Sequence, residues 1–179
     1  VHPETAAILN NLAFVLQVRG DLQEADAAFR ETLVINRKLL GESHPTIALT
    51  LSNIGFVAIA RGNWDEGVDL LQQSLDMTRR VNGPEHPDVG ARAATLAYWL
   101  VEMGRLDKAE PLVEEALSVR RAALGVEHPA YANTLTVKAN LRIAQRRFGE
   151  ARELAVEGQR LLRLSLPEDS WQVAAAKNT

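Results

Sequence analysis

The sequence predicts an all-α solenoid of four stacked helix–turn–helix units, with the start of a fifth, terminal helix behind them. Three observations carry this. The four histidines, His2, His44, His86 and His128, lie 42 residues apart, and each is followed by proline; a fixed period of this size marks repeated supersecondary units. Within each unit, apolar residues recur at spacings of three and four, the period of a helix. Glycines fall at equivalent places in successive units, where a helix has to stop.

Taken in order, the proline after each histidine suits the first helical position, where its missing N–H would be unpaired anyway. Thr5 to Val18 carries Ile8, Leu9, Leu12, Val15 and Leu16, one apolar stripe that ends at Gly20. Asp21-Leu22-Gln23-Glu24 reads as a capping box opening a second helix, as does Asn63-Trp64-Asp65-Glu66 one unit later. That helix runs through Ala25, Ala28, Phe29, Leu33 and Leu39 to Gly41, with Gly83 and Gly125 stopping its counterparts. A small residue sits four places after each histidine (Ala6, Ala48, Gly90, Ala132), and the register continues to Ala174. The units therefore span about 2–43, 44–85, 86–127 and 128–169, and Ser170-Trp171-Gln172-Val173 starts a terminal helix over about 170–177. A pair of helices with one apolar face each cannot bury it alone, so neighbouring units must stack, and 1–179 reads as one domain with no internal linker.

Four places depart from the pattern. Gly67 replaces an expected alanine and Gly158 falls mid-helix, each costing up to about 1 kcal/mol against alanine. Pro111 is tolerable only within the first turn of its helix. Lys138 and Arg142 occupy positions that are apolar in earlier units (Leu12, Ile54 and Leu96; Leu16 and Leu100) and share one helix face. They read either as snorkelling side chains paired with Glu153 or Glu157, the favoured reading, or as a basic contact site. Residues 128–169 are net basic whereas each earlier unit is net acidic, which invites an acidic partner segment at that end.

Bulk properties narrow the function. With 46% hydrophobic and 24% charged residues the chain reads as a folded domain. Its net charge of −3 gives no general field for nucleic acid or anionic lipid, so neither is an expected partner. Without cysteine there is no disulfide, thiolate metal site or cysteine nucleophile. That fits a reducing, cytoplasmic setting. The start at Val1, without methionine or an apolar signal core, reads as a piece cut from a longer protein. The histidines lie one unit apart rather than at metal-binding spacing, and read as organisers of the turns between units. No nucleophile elbow, phosphate loop or convergent carboxylate pair is present, so the chain is read as no enzyme, with no metal and no cofactor.

The residues above resemble the tetratricopeptide repeat over essentially the whole chain. Its first-helix pattern is carried by Leu9, Leu12 and Ala13, then Leu51, Ile54 and Gly55, then Ala93, Leu96 and Ala97. Its turn glycine falls at Gly20, Gly62 and Gly104, and its early second-helix alanine at Ala25, Ala109 and Ala151. The 42-residue period, the stretch Leu9 to Ala13 and the Gly-x-x-His-Pro linker are most similar to kinesin light chains and their bacterial relatives. Armadillo and HEAT repeats lack these features, and the single Trp64-Asp65 dipeptide does not make a propeller.

The resemblance implies a right-handed superhelix whose concave groove binds a protein or peptide segment. Groove positions carried over by phase are Asn10, Ser52, Ala94 and Thr136; Asn11, Asn53, Thr95 and Val137; Phe14, Phe56, Tyr98 and Asn140; and Gln17, Ile59, Val101 and Ile143. Of these, Asn10, Asn11, Phe14, Gln17, Ser52, Asn53, Phe56, Ile59, Thr95, Tyr98 and Asn140 form the candidate peptide-binding set. Asparagine amides pair with both groups of a peptide backbone, and aromatic rings act as anchors; the alternative is that Phe14, Phe56 and Tyr98 fill the core. The basic residues of a carboxylate clamp are absent from these positions, which argues against a dicarboxylate C-terminal tail as ligand. Two rival functions remain: self-association through exposed stacking faces near Ala6 or Trp171, and a regulatory region of a larger bacterial signalling protein. The second rests on Ser170 to Val173, which is similar to a stretch in kinase-linked repeat arrays.

Overall fold

The structure, a computed structural model, describes residues 2–165. Among these, eight helices follow one another: α1 (Pro3–Arg19), α2 (Leu22–Leu40), α3 (Pro45–Ala60), α4 (Trp64–Asn82), α5 (Pro87–Glu102), α6 (Leu106–Leu124), α7 (Pro129–Ala144) and α8 (Phe148–Ser165). The expected terminal helix near 170–177, with Trp171 and Ala174, lies outside the described residues. The helices form four antiparallel hairpins grouped in two compact units, Val1–Pro84 and Glu85–Thr179. In the first unit α2 packs on α3, and in the second α6 packs on α7, so the second helix of one hairpin covers the first helix of the next.

The histidines organise the helix starts. Each precedes its proline as N-cap in extended backbone, and its imidazole Nδ1 accepts from the N–H two residues on: Glu4, Thr46, Asp88 and Ala130, at 3.4, 3.2, 3.2 and 3.1 Å. One otherwise unpaired donor of the first turn is thereby satisfied in every hairpin.

The turn inside each hairpin is closed differently from the sequence expectation. Neither Asp21 nor Asn63 makes a side-chain cap bond, so the two capping boxes do not form. Asp21 instead lies 3.1 Å from the Arg19 guanidinium, and the backbone is held from the other side. The N–H groups of Asp21, Asn63, Arg105 and Arg147 reach back to the carbonyls of Leu16, Ala58, Leu100 and Arg142, at 2.8–2.9 Å. This closure demands a left-handed residue one place earlier. Gly20, Gly62 and Gly104 supply it, but the fourth hairpin places Arg146 there at φ 62°.

In the first unit, Phe29, Leu33, Ile47, Leu51, Ile54, Val57 and Met77 make one buried cluster around Ala13 and Ala25. Gly67 is no defect of that packing. A Cβ on it would lie 2.8 Å from the Gly55 carbonyl oxygen and collide with the Ile59 side chain. Helices α3 and α4 thus approach over two glycines, and Ile59 fills the space that a methyl group would need. Pro111 is the sixth residue of α6, beyond the first turn, yet the helix continues to Leu124. Pro111 is exposed and offers the Asp107 carbonyl no backbone donor, a loss that solvent can make good on that side.

Two stability outcomes follow. Arg146→Gly should raise the unfolding free energy by about 1 kcal/mol, since left-handed backbone costs an L-residue roughly 1–2 kcal/mol; equal or lower stability in chemical denaturation would contradict the turn assignment. Gly67→Ala should lower stability, because overpacking at about 1–3 kcal/mol outweighs the ~1 kcal/mol gained in helix propensity. Shortening Ile59 to Ala in the same chain should recover part of that loss, a coupling readable in a double-mutant cycle.

Candidate functional site

A candidate surface in the second unit lies between the first helices α5 and α7. Ala94, Thr95 and Tyr98 from α5, Asn133 and Val137 from α7, and Arg120 from α6 line a cavity of about 230 Å³. Tyr98 is exposed, and its ring meets that of Trp99 edge-on at 5.1 Å between centroids. The Thr95 hydroxyl donates to the Ala91 carbonyl at 3.0 Å, which leaves the methyl face of the threonine as its distinctive contribution. Arg120 is half-buried and donates through Nη1 to the Ala130 carbonyl and the Thr134 hydroxyl, both at 2.6 Å. Burial pushes its pKa below the ordinary arginine value, with no carboxylate acting against it. The guanidinium stays charged all the same, so this surface holds a fixed cation among apolar and amide groups.

Sequence phase brought Thr95, Tyr98 and Val137 together correctly as neighbours, whereas Arg120 was missed. It comes from a second helix, and its equivalents Asn36 and Thr78 are buried polar residues that give no hint of a cation. Asn140 lies half-buried on α7 and does not line the cavity. Val101 and Ala94 are buried, while Thr136 and Ile143 are exposed.

In the first unit Phe14 is 60% exposed and Phe56 half-buried. None of the rings of Phe14, Phe56 and Tyr98 therefore belongs to the fully buried core. Asn10, Gln17 and Asn53 are half-buried and Asn11 is exposed. Two members of the candidate set are withdrawn on packing grounds. Ser52 is buried and its hydroxyl lies 2.8 Å from that of Ser74, which itself donates to the Ala48 carbonyl. Ile59 is buried against Gly67, as described above. Neither presents a side chain to a ligand.

Lys138 and Arg142 are tied to carboxylates, but not to Glu153 or Glu157. Lys138 Nζ lies 2.7 Å from Glu114, and Arg142 Nη1 lies 2.7 Å from Glu110, two ladder-like ties from α7 back to α6. Arg142 is buried, its Nε sits 3.2 Å from Glu150 of α8, and Gln145 bridges it to Glu110. Glu157 is bound by Arg160 on its own helix. The sequence expectation of snorkelling and pairing named the wrong partners: it looked forward to Glu153 and Glu157 on α8, whereas the ties run mainly back to Glu110 and Glu114 on α6, with Glu150 the α8 residue that reaches Arg142. The Gln145 amide and Arg142 hold the Glu110 carboxyl below its usual pKa. Among the described residues, no group of three or more histidine or acidic side chains gathers closely enough to hold a metal.

Known proteins place this arrangement. The sequence profile of the tetratricopeptide repeat matches residues 46–119 and 91–163, and a second tetratricopeptide profile matches 5–46. The chain belongs to the tetratricopeptide repeat family. No curated protein matches it significantly. Among solved structures, this repeat chain is similar to BtubC (BKLC) from P. vanneervenii, at TM-score 0.79 and 19% identity over 90% of its length. It spans 63% of BtubC, less than two thirds. It is also similar to a putative kinesin light chain with nearly identical TPR-like repeats from Podosopora anserina, at TM-score 0.78 and 24% identity, covering 96% of this chain and 81% of that one. The Q17M form of that protein gives 0.79 with the same identity and coverage. The chain thus shares its fold with these repeat proteins.

The charge ties make a measurable statement about pH. Glu110 titrates lower when folded than when unfolded, so its stabilising contribution is complete above the ordinary carboxylate range. It is lost as pH falls through the depressed folded value. Glu110→Gln should therefore flatten the acid limb of the stability profile. Arg142→Ala should cost about 2 kcal/mol at neutral pH by stranding half-exposed carboxylates, and Arg142→Leu distinctly less. No loss for Arg142→Leu, which removes the same charge ties but keeps the packing, would show that the ion pairs contribute nothing.

Proposed function

We propose that the chain is a protein-binding scaffold that holds an extended or helical segment of another protein against the faces of its first helices. Tetratricopeptide repeats are in general protein–protein interaction scaffolds. The observation that carries the finer reading is the cavity between α5 and α7. It offers an aromatic ring (Tyr98), an aliphatic wall (Val137), an amide (Asn133) and a fixed cation (Arg120) within one side-chain-sized recess. Recesses that combine an apolar wall with a few placed polar groups are what binding sites for single side chains consist of.

The remaining candidates suit the same task. The amides of Asn10, Asn11, Gln17, Asn53 and Asn140 can donate to and accept from a peptide backbone. Phe14 presents a largely exposed ring that gains contact area without first losing packing. We read the chain as non-catalytic and expect protein rather than nucleic acid as its partner. No helix among the described residues is long and apolar enough to cross a membrane.

A peptide selected from a display library on the intact chain provides the probe. Tyr98→Ala should weaken its binding by about 2 kcal/mol, as loss of an aromatic hot spot does, while circular dichroism stays helical. Phe14→Ala and Phe56→Ala should weaken it less. Unchanged affinity in all three variants would refute the assignment of this surface.

A further inference from the structure

A second cavity of the second unit lies on the other side of α7. Walled by α6, α7 and α8 in succession, it encloses about 350 Å³, with Leu117, Leu135 and Leu154 as its apolar lining. Tyr131, Leu135 and Lys138 recur at spacings of four and three on one face of α7, whereas Asn133 and Val137, which line the cavity towards α5, fall on the opposite face. In the first unit the positions of Tyr131 and Lys138 are held by Ile47 and Ile54, both sealed in the core cluster. Here Lys138 reaches out to Glu114 at 2.7 Å and closes one end of the recess as an ion pair. The other end is built by Arg121, whose Nη2 donates to the hydroxyl of the buried Tyr131 at 2.9 Å.

That end holds donors in excess of acceptors. The Tyr131 O–H has no acceptor among the described residues, and the Arg121 guanidinium meets no carboxylate there and keeps most of its N–H donors unused. The repeats show that this is a departure. One and two repeats earlier the same arginine is neutralised: Arg79 lies 2.8 Å from Asp76, and Arg37 3.2 Å from Glu42. In the third repeat the places of Asp76 and Glu42 are taken by Ser118 and Val126. Both sources of counter-charge are lost while the arginine is kept, and Ser118 lines the recess with a further hydroxyl. Since Glu114 and Lys138 cancel, the recess carries the single charge of Arg121. One carboxylate matches it: its two oxygens accept from Arg121 and from the Tyr131 O–H, and the leucines receive the apolar body behind it.

We infer that this recess is a second binding site, for a carboxylate carried on an apolar body. The Arg121–Tyr131 pair is assembled before any ligand arrives, so little ordering is left for binding to do. A free organic acid, or an acidic side chain beside an apolar one in a protein segment, offers this chemistry. The inference does not depend on the reading of the cavity between α5 and α7, with which the recess shares no lining residue.

Titration of hexanoate into the intact, isotope-labelled chain, followed through its amide resonances, tests it. Shifts should gather at Ser118, Arg121, Tyr131 and Leu135. Acetate, which lacks the apolar body, and hexylamine, which reverses the charge, should bind about tenfold more weakly or not at all. Arg121→Gln and Tyr131→Phe should each weaken hexanoate several-fold. Ser118→Asp, which restores the counter-charge of the preceding repeat, should weaken it about tenfold with no loss of thermal stability, so that a blocked site is told apart from a damaged fold. Tyr98→Ala should leave it untouched. A capped peptide with leucine beside aspartate supplies the second arm: tighter binding of the peptide assigns the recess to a protein segment, and tighter binding of hexanoate to a small acid. Silence from both probes, shifts scattered along the chain, or an affinity indifferent to Arg121→Gln and Ser118→Asp would overturn the inference.

Discussion

The structure depends on how closely the two helices of each hairpin approach near their turn. At that level the residues are small in every repeat: Ala13 and Ala25, Gly55 and Gly67, Ala97 and Ala109, Ala139 and Ala151, all buried. Small side chains let the backbones come near enough for the surrounding Leu, Ile and Val residues to interdigitate. The hairpin then presents a continuous apolar face, which only a neighbouring helix can cover. The histidine caps and the left-handed turn residues set the length and entry of each helix, so that this contact recurs every 42 residues.

Because the contact recurs, the fold was readable from the sequence. The His-Pro spacing located the starts of α1, α3, α5 and α7, and the glycines located the turns of the first three hairpins. What the sequence could not give is whatever depends on a particular neighbour. Asp21 and Asn63 have the composition of helix caps, but the turn backbone holds them at ψ near 60° rather than in the extended form a cap needs, so the motif was present without its geometry. Ser52 and Ile59 stand in phase with groove positions but turn into the hairpin, because Ser74 and Gly67 on the facing helix make room for them. Arg120 was invisible for the opposite reason: it belongs to a helix on which no binding residue was sought.

The fourth repeat shows how one unit can drift from its siblings and remain in register. It exchanges apolar contacts for ion pairs at Lys138 and Arg142, and accepts a left-handed arginine at the turn. Both changes keep the backbone path; the first moves stabilisation from dispersion to electrostatics, and the second costs backbone strain. Those ion pairs make the stability of this repeat sensitive to salt and acid.

The glycine pair between α3 and α4 bears on how such arrays diversify. Repeats of one length look like interchangeable parts, and recombination within a gene could shuffle them freely. Yet the isoleucine that occupies the space beside Gly67 would meet a methyl group if α3 were partnered with any other second helix of this chain, each of which carries alanine there. The two helices are keyed to each other. Exchange at whole-hairpin boundaries preserves the key and exchange within a hairpin breaks it, so the hairpin is the smallest inheritable piece of this protein.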